Sequence, residues 1–297
     1  MHNSLRVDDV ATLVESLGGF AHKNQLLARG ARDRDLTRAV RSGEVARVRL
    51  GWYTTRSLTS PSARALHIGG RLTGLSAIAE WGGWVLRAPI LHVSVPENAA
   101  RLRPTGKRVR IHWDALALSD RGTTTSVGLA DALIRVVLDE DLETAVAALD
   151  WALHSGRLDR IDFEELVLAL PAESRWIAQW VDARCESLPE SLSRTRLRLA
   201  GHVVESQVPL GRERIDIVVD GVVGLETDGD EFHREHFERD RRKDIAMSSA
   251  GYLPLRVPAR MVFDEWPAVA SAIEQLLHSH SRNRHPSVRA TSRRRGR

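Results

Sequence analysis

A single cysteine, Cys185, stands in a chain of 297 residues. It excludes an internal disulfide and fits a reducing compartment. The opening MHNSLRVDDV lacks the apolar segment a secretory signal requires. No run approaches the ~18 apolar residues of a membrane-spanning helix. These absences set the expectation of a cytoplasmic chain with no membrane partner. No internal repeat and no phosphate-cradling glycine loop appears, so repeat arrays and P-loop chemistry are set aside.

What is present is ordinary in bulk and uneven in charge. The chain is 42% hydrophobic and 28% charged, as soluble globular proteins are, and long enough for two or three domains. The net charge is +4. Residues 1–60 carry ten Lys and Arg against six acids, and residues 278–297 carry seven Arg and no acid. Residues 186–277 carry seventeen acids against twelve Lys and Arg. Basic ends attract a polyanion in a salt-dependent way. The acidic segment repels one unless a cation sits in it. The expected division is 1–60, 61–185, 186–277 and a disordered basic tail at 278–297, in an α+β multidomain chain.

The first sixty residues read as three short helices and a hairpin. Val10, Leu13, Val14 and Leu17 form a helical stripe stopped by Gly18 and Gly19. HKNQLLARG follows, and the third helix is placed at Asp33–Ser42, stopped by Gly43. Helix, short turn with glycine, helix is the helix-turn-helix pattern. Arg34, Arg38 and Arg41 share one face of the third helix, while Leu36, Ala39 and Val40 turn inward. EVARVRLGWYTT alternates Val45, Arg47 and Arg49 with apolar residues and reads as a wing. Arg47 and Arg49 then reach phosphates, so DNA is the expected partner. The stretch, ending GEVARVRLGWY, resembles the N-terminal winged-helix domain of AbiEi-family antitoxins. That resemblance implies a DNA-binding module, often autoregulatory.

The middle reads for fold rather than chemistry. LTGLSAIAEWGG is a helix with a glycine stop. ILHVSVP and RVRIHW are strands joined by the basic turn ARLRPTGKR, and amphipathic helices follow from Val127. His112 and His154 have no partner pattern. The layout is similar to the segment joining an AbiEi-like head to a nuclease-like tail.

Chemistry gathers in the last ninety residues. SLPE at Ser187–Glu190 is a capping box opening a helix. Strands HVVESQV, RIDIVV and VVGLETD, a helix over about Glu235–Ala250, the strand YLPLRV and a last helix give α-β-β-β-α-β-α. Period-two alternation puts Ile215, Ile217, Val219, Val223, Leu225 and Thr227 on one face. Asp216, Val218, Gly224, Glu226 and Asp228 take the other. A three-residue loop, Val219-Asp220-Gly221, with Gly221 left-handed, pairs 218 with 222 and keeps those faces. Asp216 then lies one diagonal step from Glu226. Three neighbouring carboxylates repel one another, and a hard divalent cation, Mg²⁺ or Mn²⁺, relieves that.

At these residues the chain resembles the PD-(D/E)XK nuclease superfamily, and more narrowly the Vsr-like endonuclease-domain family. The likeness rests on the element order, on Asp216…Glu226-x-Asp228-Gly229…His233 and on FERDRRKD, over about 187–277. It implies a restriction-endonuclease-like αβββαβ core. Asp216 and Glu226 become metal ligands. Glu190 matches a helix glutamate that in parts of the superfamily touches the metal shell, and its cap role explains it equally well. Asp228 departs from the pattern, standing where many members have the catalytic lysine. His233 and Lys243 are the candidates to fill that gap, and Asp240 is the leading functional acid on the helix that follows. Two functions remain. One is a metal-dependent DNA endonuclease; the other is an antitoxin-like DNA-binding regulator with a catalytically inactive nuclease-like domain. Charge alone leaves RNA open as substrate.

Overall fold

The computed structural model describes residues 7–87, 90–100, 102–103, 108–114, 122–228 and 237–284, without the side chains of 7–9, 237–240 and 283–284. The described residues form an α+β protein with three small sheets. Two compact units divide it: residues 1–148 with 160–175, and residues 149–159 with 176–297. No helix among the described residues is long and apolar enough to cross a membrane.

The first unit opens with α1 (Val7–Ser16), β1 (Phe20–His22), α2 (Lys23–Ala28), α3 (Asp33–Ser42), β2 (Ala46–Arg49) and β3 (Trp52–Thr54). Val10 and Val14, one turn apart on α1, are fully buried with Leu26, Leu36, Ala39, Val45 and Tyr53. The turn after α1 is built by Gly18 and Gly19, both left-handed at φ 86° and 83°. Strand β1, absent from the sequence reading, pairs antiparallel with β3 and gives the sheet order β1-β3-β2. His22 then caps α2: its Nδ1 accepts from Asn24 N–H (3.3 Å), and Gln25 Oε1 accepts from His22 N–H (2.8 Å). Helix α3 has the expected bounds, ended by left-handed Gly43.

The wing departs from the expected alternation. The buried residues are Val45 and Val48, three apart. The register of β2 on β3 shifts between Arg47 and Arg49. A bulge at that point turns the strand, so one residue falls out of the period-two pattern. Arg47 stays exposed, while Arg49 is half-buried.

After α4 (Pro61–Ile68) come β4 (Arg71–Leu72), α5 (Gly74–Glu80), β5 (Leu91–Pro96), β6 (Val109–Asp114) and α6 (Leu129–Asp139). The two strands are parallel, with His92 opposite Arg110 and Ser94 opposite His112. The expected basic turn between them is therefore a crossover, because parallel neighbours cannot be closed by a tight turn. Helices α7 (Leu142–His154) and α8 (Arg160–Ala169) and the 3₁₀ helix Ala172–Trp180 follow.

The second unit carries α9 (Leu188–Leu199), β7 (Val204–Leu210), β8 (Glu213–Val219), β9 (Val223–Asp228), α10 (Phe237–Ser249), β10 (Leu253–Pro258), α11 (Ala259–Asp264) and α12 (Trp266–Arg284). The sheet order is β10-β9-β8-β7, with β10 parallel to β9 and the other pairs antiparallel. The expected order holds, with the short α11 added before the last helix.

The hairpin register is corrected by two residues. Val219 pairs with Val223, and Ile217 with Leu225. Asp220 joins Gly221 in the left-handed region (φ 51° and 67°), and Val222 N–H donates to the Val219 carbonyl (2.9 Å). A slip of two preserves which residues share a face. The alternation nevertheless breaks at Asp216. Ile215 packs in one buried cluster with Val218 and Met247. On the other side of β8 the register passes from Ser206↔Ile217 to Val208↔Ile215, and Gln207 between them has φ 54°.

Helix α9 is fixed by a buried ion pair within this unit. Arg194 Nη2 donates to Asp150 Oδ2 (2.9 Å), as does Ser191 Oγ (2.6 Å), and Asp182 N–H donates to Oδ1 (2.7 Å). The Asp150 side chain is 0% exposed and that of Arg194 3%. Asp150→Ala leaves the guanidinium buried without its carboxylate, a loss of about 3–5 kcal/mol. Urea denaturation of the full chain reads it; a loss within error of zero rules out this pair as the anchor of α9.

Candidate active site

Four elements of the second unit bring Glu190, Asp216, Glu226 and Lys243 to one place. Glu190 sits in the first turn of α9, where Ser187 caps the helix as expected but Glu190 takes Glu186 N–H rather than the Ser187 N–H of a capping box. Ser187 Oγ accepts from Glu190 N–H (3.4 Å) and donates to Glu190 Oε1 (2.7 Å). Glu190 Oε2 accepts from Glu186 N–H (3.0 Å) and from Gln207 Nε2 (2.9 Å). Burial raises the pKa of this carboxyl, Glu186 N–H opposes that, and the charge of Asp216 raises it further. The cap and the site thus share one side chain.

Asp216 and Glu226 face each other across β8 and β9. Asp216 N–H donates to Glu226 Oε1 (3.3 Å), and Thr227 N–H donates to Asp216 Oδ2 (2.9 Å). The corrected register pairs Ile217 with Leu225, next to both acids, where a diagonal step between the acids was expected. Lys243, from α10, donates through Nζ to Glu226 Oε2 and lies 3.9 Å from Asp216 Oδ1. Burial is the largest influence on Glu226, followed by the charge of Asp216; together they push its pKa up to about 7 despite Lys243. Burial raises Asp216 as well, while Thr227 N–H and Lys243 pull it down. One ammonium does not offset this much buried negative charge, so proton or cation uptake is favoured here.

Asp228 is placed differently from the expected third ligand. It is exposed and takes Arg256 Nη1 at 3.2 Å. Arg256 stands opposite Glu226 on the parallel strand β10 and also donates through Nε to Asp244 Oδ1 (2.8 Å). The charge of Asp228 still raises the pKa of Asp216. Among the described residues, Asp216, Glu226 and Asp228 do not form a three-donor group with oxygens within 4.8 Å of one another. The carboxylate cradle is instead Asp216 and Glu226 bridged by Lys243, with Glu190 behind. His233 lies outside the described residues. Asp240 lies on α10, and its side chain is likewise outside the description.

Gln207 and Arg256 were missed in the sequence. Nothing in VESQVPL marks a glutamine for left-handed backbone, and the partners of Arg256 depend on the parallel register. Among the expected DNA contacts, Arg34, Arg38 and Arg41 are all exposed along α3. Arg47 lies over the Tyr53 ring, 5.6 Å from its centroid, and donates to Tyr53 Oη (3.3 Å). Arg47 and Arg49, with Arg64, His67 and Arg103, line a cleft of about 530 Å³.

No family model matches the chain, and no curated protein matches it.

The raised carboxyls make a signed prediction for the metal-free protein. Glu226 binds its proton up to about pH 7 when folded, against 4.5 for the ordinary carboxyl. Folded chains therefore hold a proton that unfolded chains release, and stability falls as pH rises through that window. Glu190 and Asp216 act in the same direction. Glu226→Gln flattens the decline, as read by urea denaturation at a series of pH values in chelator. The same pH dependence in wild type and variant refutes it.

Proposed function

We propose that this protein is a metal-dependent DNA endonuclease of the PD-(D/E)XK kind, with a DNA-binding module at its N-terminal end. The observation that carries this reading is Lys243 Nζ set against the buried carboxylates Glu226 and Asp216. The ground for an inactive domain is the acid at position 228. Lys243 supplies an ammonium from the next helix instead, at the carboxylates where the superfamily pattern needs one. The helix, antiparallel meander, helix and parallel strand of the second unit support the same reading.

Mg²⁺ fits these residues by donor chemistry. Asp216, Glu226 and Glu190 offer hard oxygens, although among the described residues these three do not form a donor group within 4.8 Å of one another. When bound, such an ion supplies Lewis-acid polarisation of a scissile phosphate and a more acidic water. The chain's own residues do the rest. Glu190 is held by Ser187, Glu186 and Gln207, so its carboxylate is positioned before substrate arrives. Lys243 Nζ, set against Glu226 and Asp216, is assigned to offset the charge that develops on a phosphate oxygen. His233, by type, takes or returns a proton near neutrality. Asp240 is one turn before Lys243 on α10, and it stays the leading candidate acid on that helix.

The N-terminal module reads as a winged helix. Its order α1-β1-α2-α3-β2-β3, its sheet order β1-β3-β2 and its exposed Arg34, Arg38 and Arg41 support a recognition helix. Arg47 and Arg49 are assigned to phosphates.

Plasmid cleavage with Mg²⁺ or Mn²⁺ tests the assignment. Asp216→Asn and Glu226→Gln abolish cleavage, and Lys243→Ala slows it about 10²–10³-fold, the usual loss on removing one charge-stabilising donor. Equal cleavage by wild type and all three variants sinks the active site. For the module, Arg38→Ala weakens DNA binding and lowers the salt slope by about 1; an unchanged slope removes Arg38 from the interface.

A further inference from the structure

We infer that His92, His112 and Asp139 of the first unit form a zinc site, separate in composition and place from the carboxylates of the proposed nuclease centre. Each offers one donor atom, and those atoms lie within 4.8 Å of one another. The parallel register of β5 and β6 generates the pair. His92 is opposite Arg110 and His112 opposite Ser94, so both imidazoles project from the same sheet face two positions apart. Their ring centroids are 5.2 Å apart and their planes 30° from parallel. Asp139 is the last residue of α6, and its Oδ2 lies 3.6 Å from His112 Nδ1.

The polar atoms here are buried and incompletely satisfied. His92 is 2% exposed and His112 7%. Asp139 Oδ2, His92 Nδ1 and His112 Nε2 are all buried without a hydrogen-bond partner. Each of the three residues thus carries a buried polar atom whose hydrogen-bonding capacity is unmet, which is costly, and their donor groups converge on one place. The other oxygen of Asp139 is tethered: Arg110 Nη2 lies 3.2 Å from Oδ1 and Arg135 Nη1 3.9 Å. That leaves Oδ2 directed at the histidines, as an outer ion pair orients a ligating carboxylate.

The charges around the group decide whether a cation is tolerated. Arg110 and Arg135 oppose one. Asp139 and Glu140 favour it, and Arg135 is itself engaged by Asp114 Oδ1 at 2.9 Å. Glu140 Oε1 lies 3.8 Å from His92 Nε2, outside the three-donor group but near enough to offset part of an ion's charge. Mixed nitrogen and oxygen donors suit Zn²⁺; Mg²⁺ takes oxygens. A cleft of about 360 Å³ lined by His92, Arg110, Glu140, Asp141 and Thr144 provides entry. The site ties the two parallel strands to the end of α6, so its role is structural.

The test uses the full chain, purified, stripped with chelator and titrated with Zn²⁺ by calorimetry, and with Co²⁺ by visible absorption. Wild type binds one equivalent at micromolar metal, develops the d–d bands of a tetrahedral nitrogen–oxygen site with Co²⁺, and melts higher with zinc. His92→Gln and Asp139→Asn lose that equivalent and those bands. A double variant, Asp216→Asn with Glu226→Gln, keeps both. Absence of bands in wild type overturns the site, as does their survival in both histidine-site variants or their loss in the double variant. The wild-type titration decides even if a variant fails to fold.

Discussion

Buried carboxylates on neighbouring strands need a cation, and this constraint organises the second unit. Asp216 and Glu226 are opposed across β8 and β9 with their side chains largely out of water. In that setting burial raises both pKa values, and the charge of Asp216 raises that of Glu226 further. Lys243 is the resident counter-charge, and it comes from α10 packed on the same sheet through Met247. Gly224 belongs to the same arrangement. A Cβ there would stand 2.3 Å from Met247 Cε, so glycine lets α10 approach closely enough for the lysine to arrive. The backbone, the helix packing and the electrostatics thus converge on one ammonium.

Glu190 adds a second layer to the same constraint. Its carboxylate closes the N-terminus of α9 and is also raised by the charge of Asp216. The helix cannot swing away from that charge, because Arg194, one turn on, is locked to buried Asp150. Gln207 holds Glu190 from β7 in a left-handed conformation that costs about 1–3 kcal/mol in a non-glycine residue. Strain kept beside three carboxylates is strain kept for positioning.

The legible parts of this chain are those decided by local periodicity. Helix α3 was bounded correctly because Gly43 must be left-handed and because the arginines repeat at helical spacing. The shared face of Ile217, Val219, Val223 and Leu225 followed from alternation and survived a register error of two residues for that reason, whereas Ile215 packs on the other side with Val218 and Met247. The register itself was not legible. Asp220 adopts a left-handed φ that glycine would normally be needed for, and Val222 becomes the extra residue. Nor was the break at Asp216, which arises from pairing on both sides of the strand. The wing failed in the same way, through a bulge at Arg47. Histidines 92 and 112 were unreadable for a topological reason: only a parallel pairing brings them together, and the stretch between them looked like a turn.

On the proposed nuclease reading, Asp228 is an acid at a position where the superfamily pattern has an ammonium. In the sheet, that acid lies at the exposed end of β9 and is neutralised by Arg256 on the parallel neighbour. The ammonium arrives instead from α10, about one helix later in the chain. On that proposed reading, the chemistry asks for a cation at the Glu226 carboxylate, and the element that supplies it is secondary; Lys243 is the cation placed there.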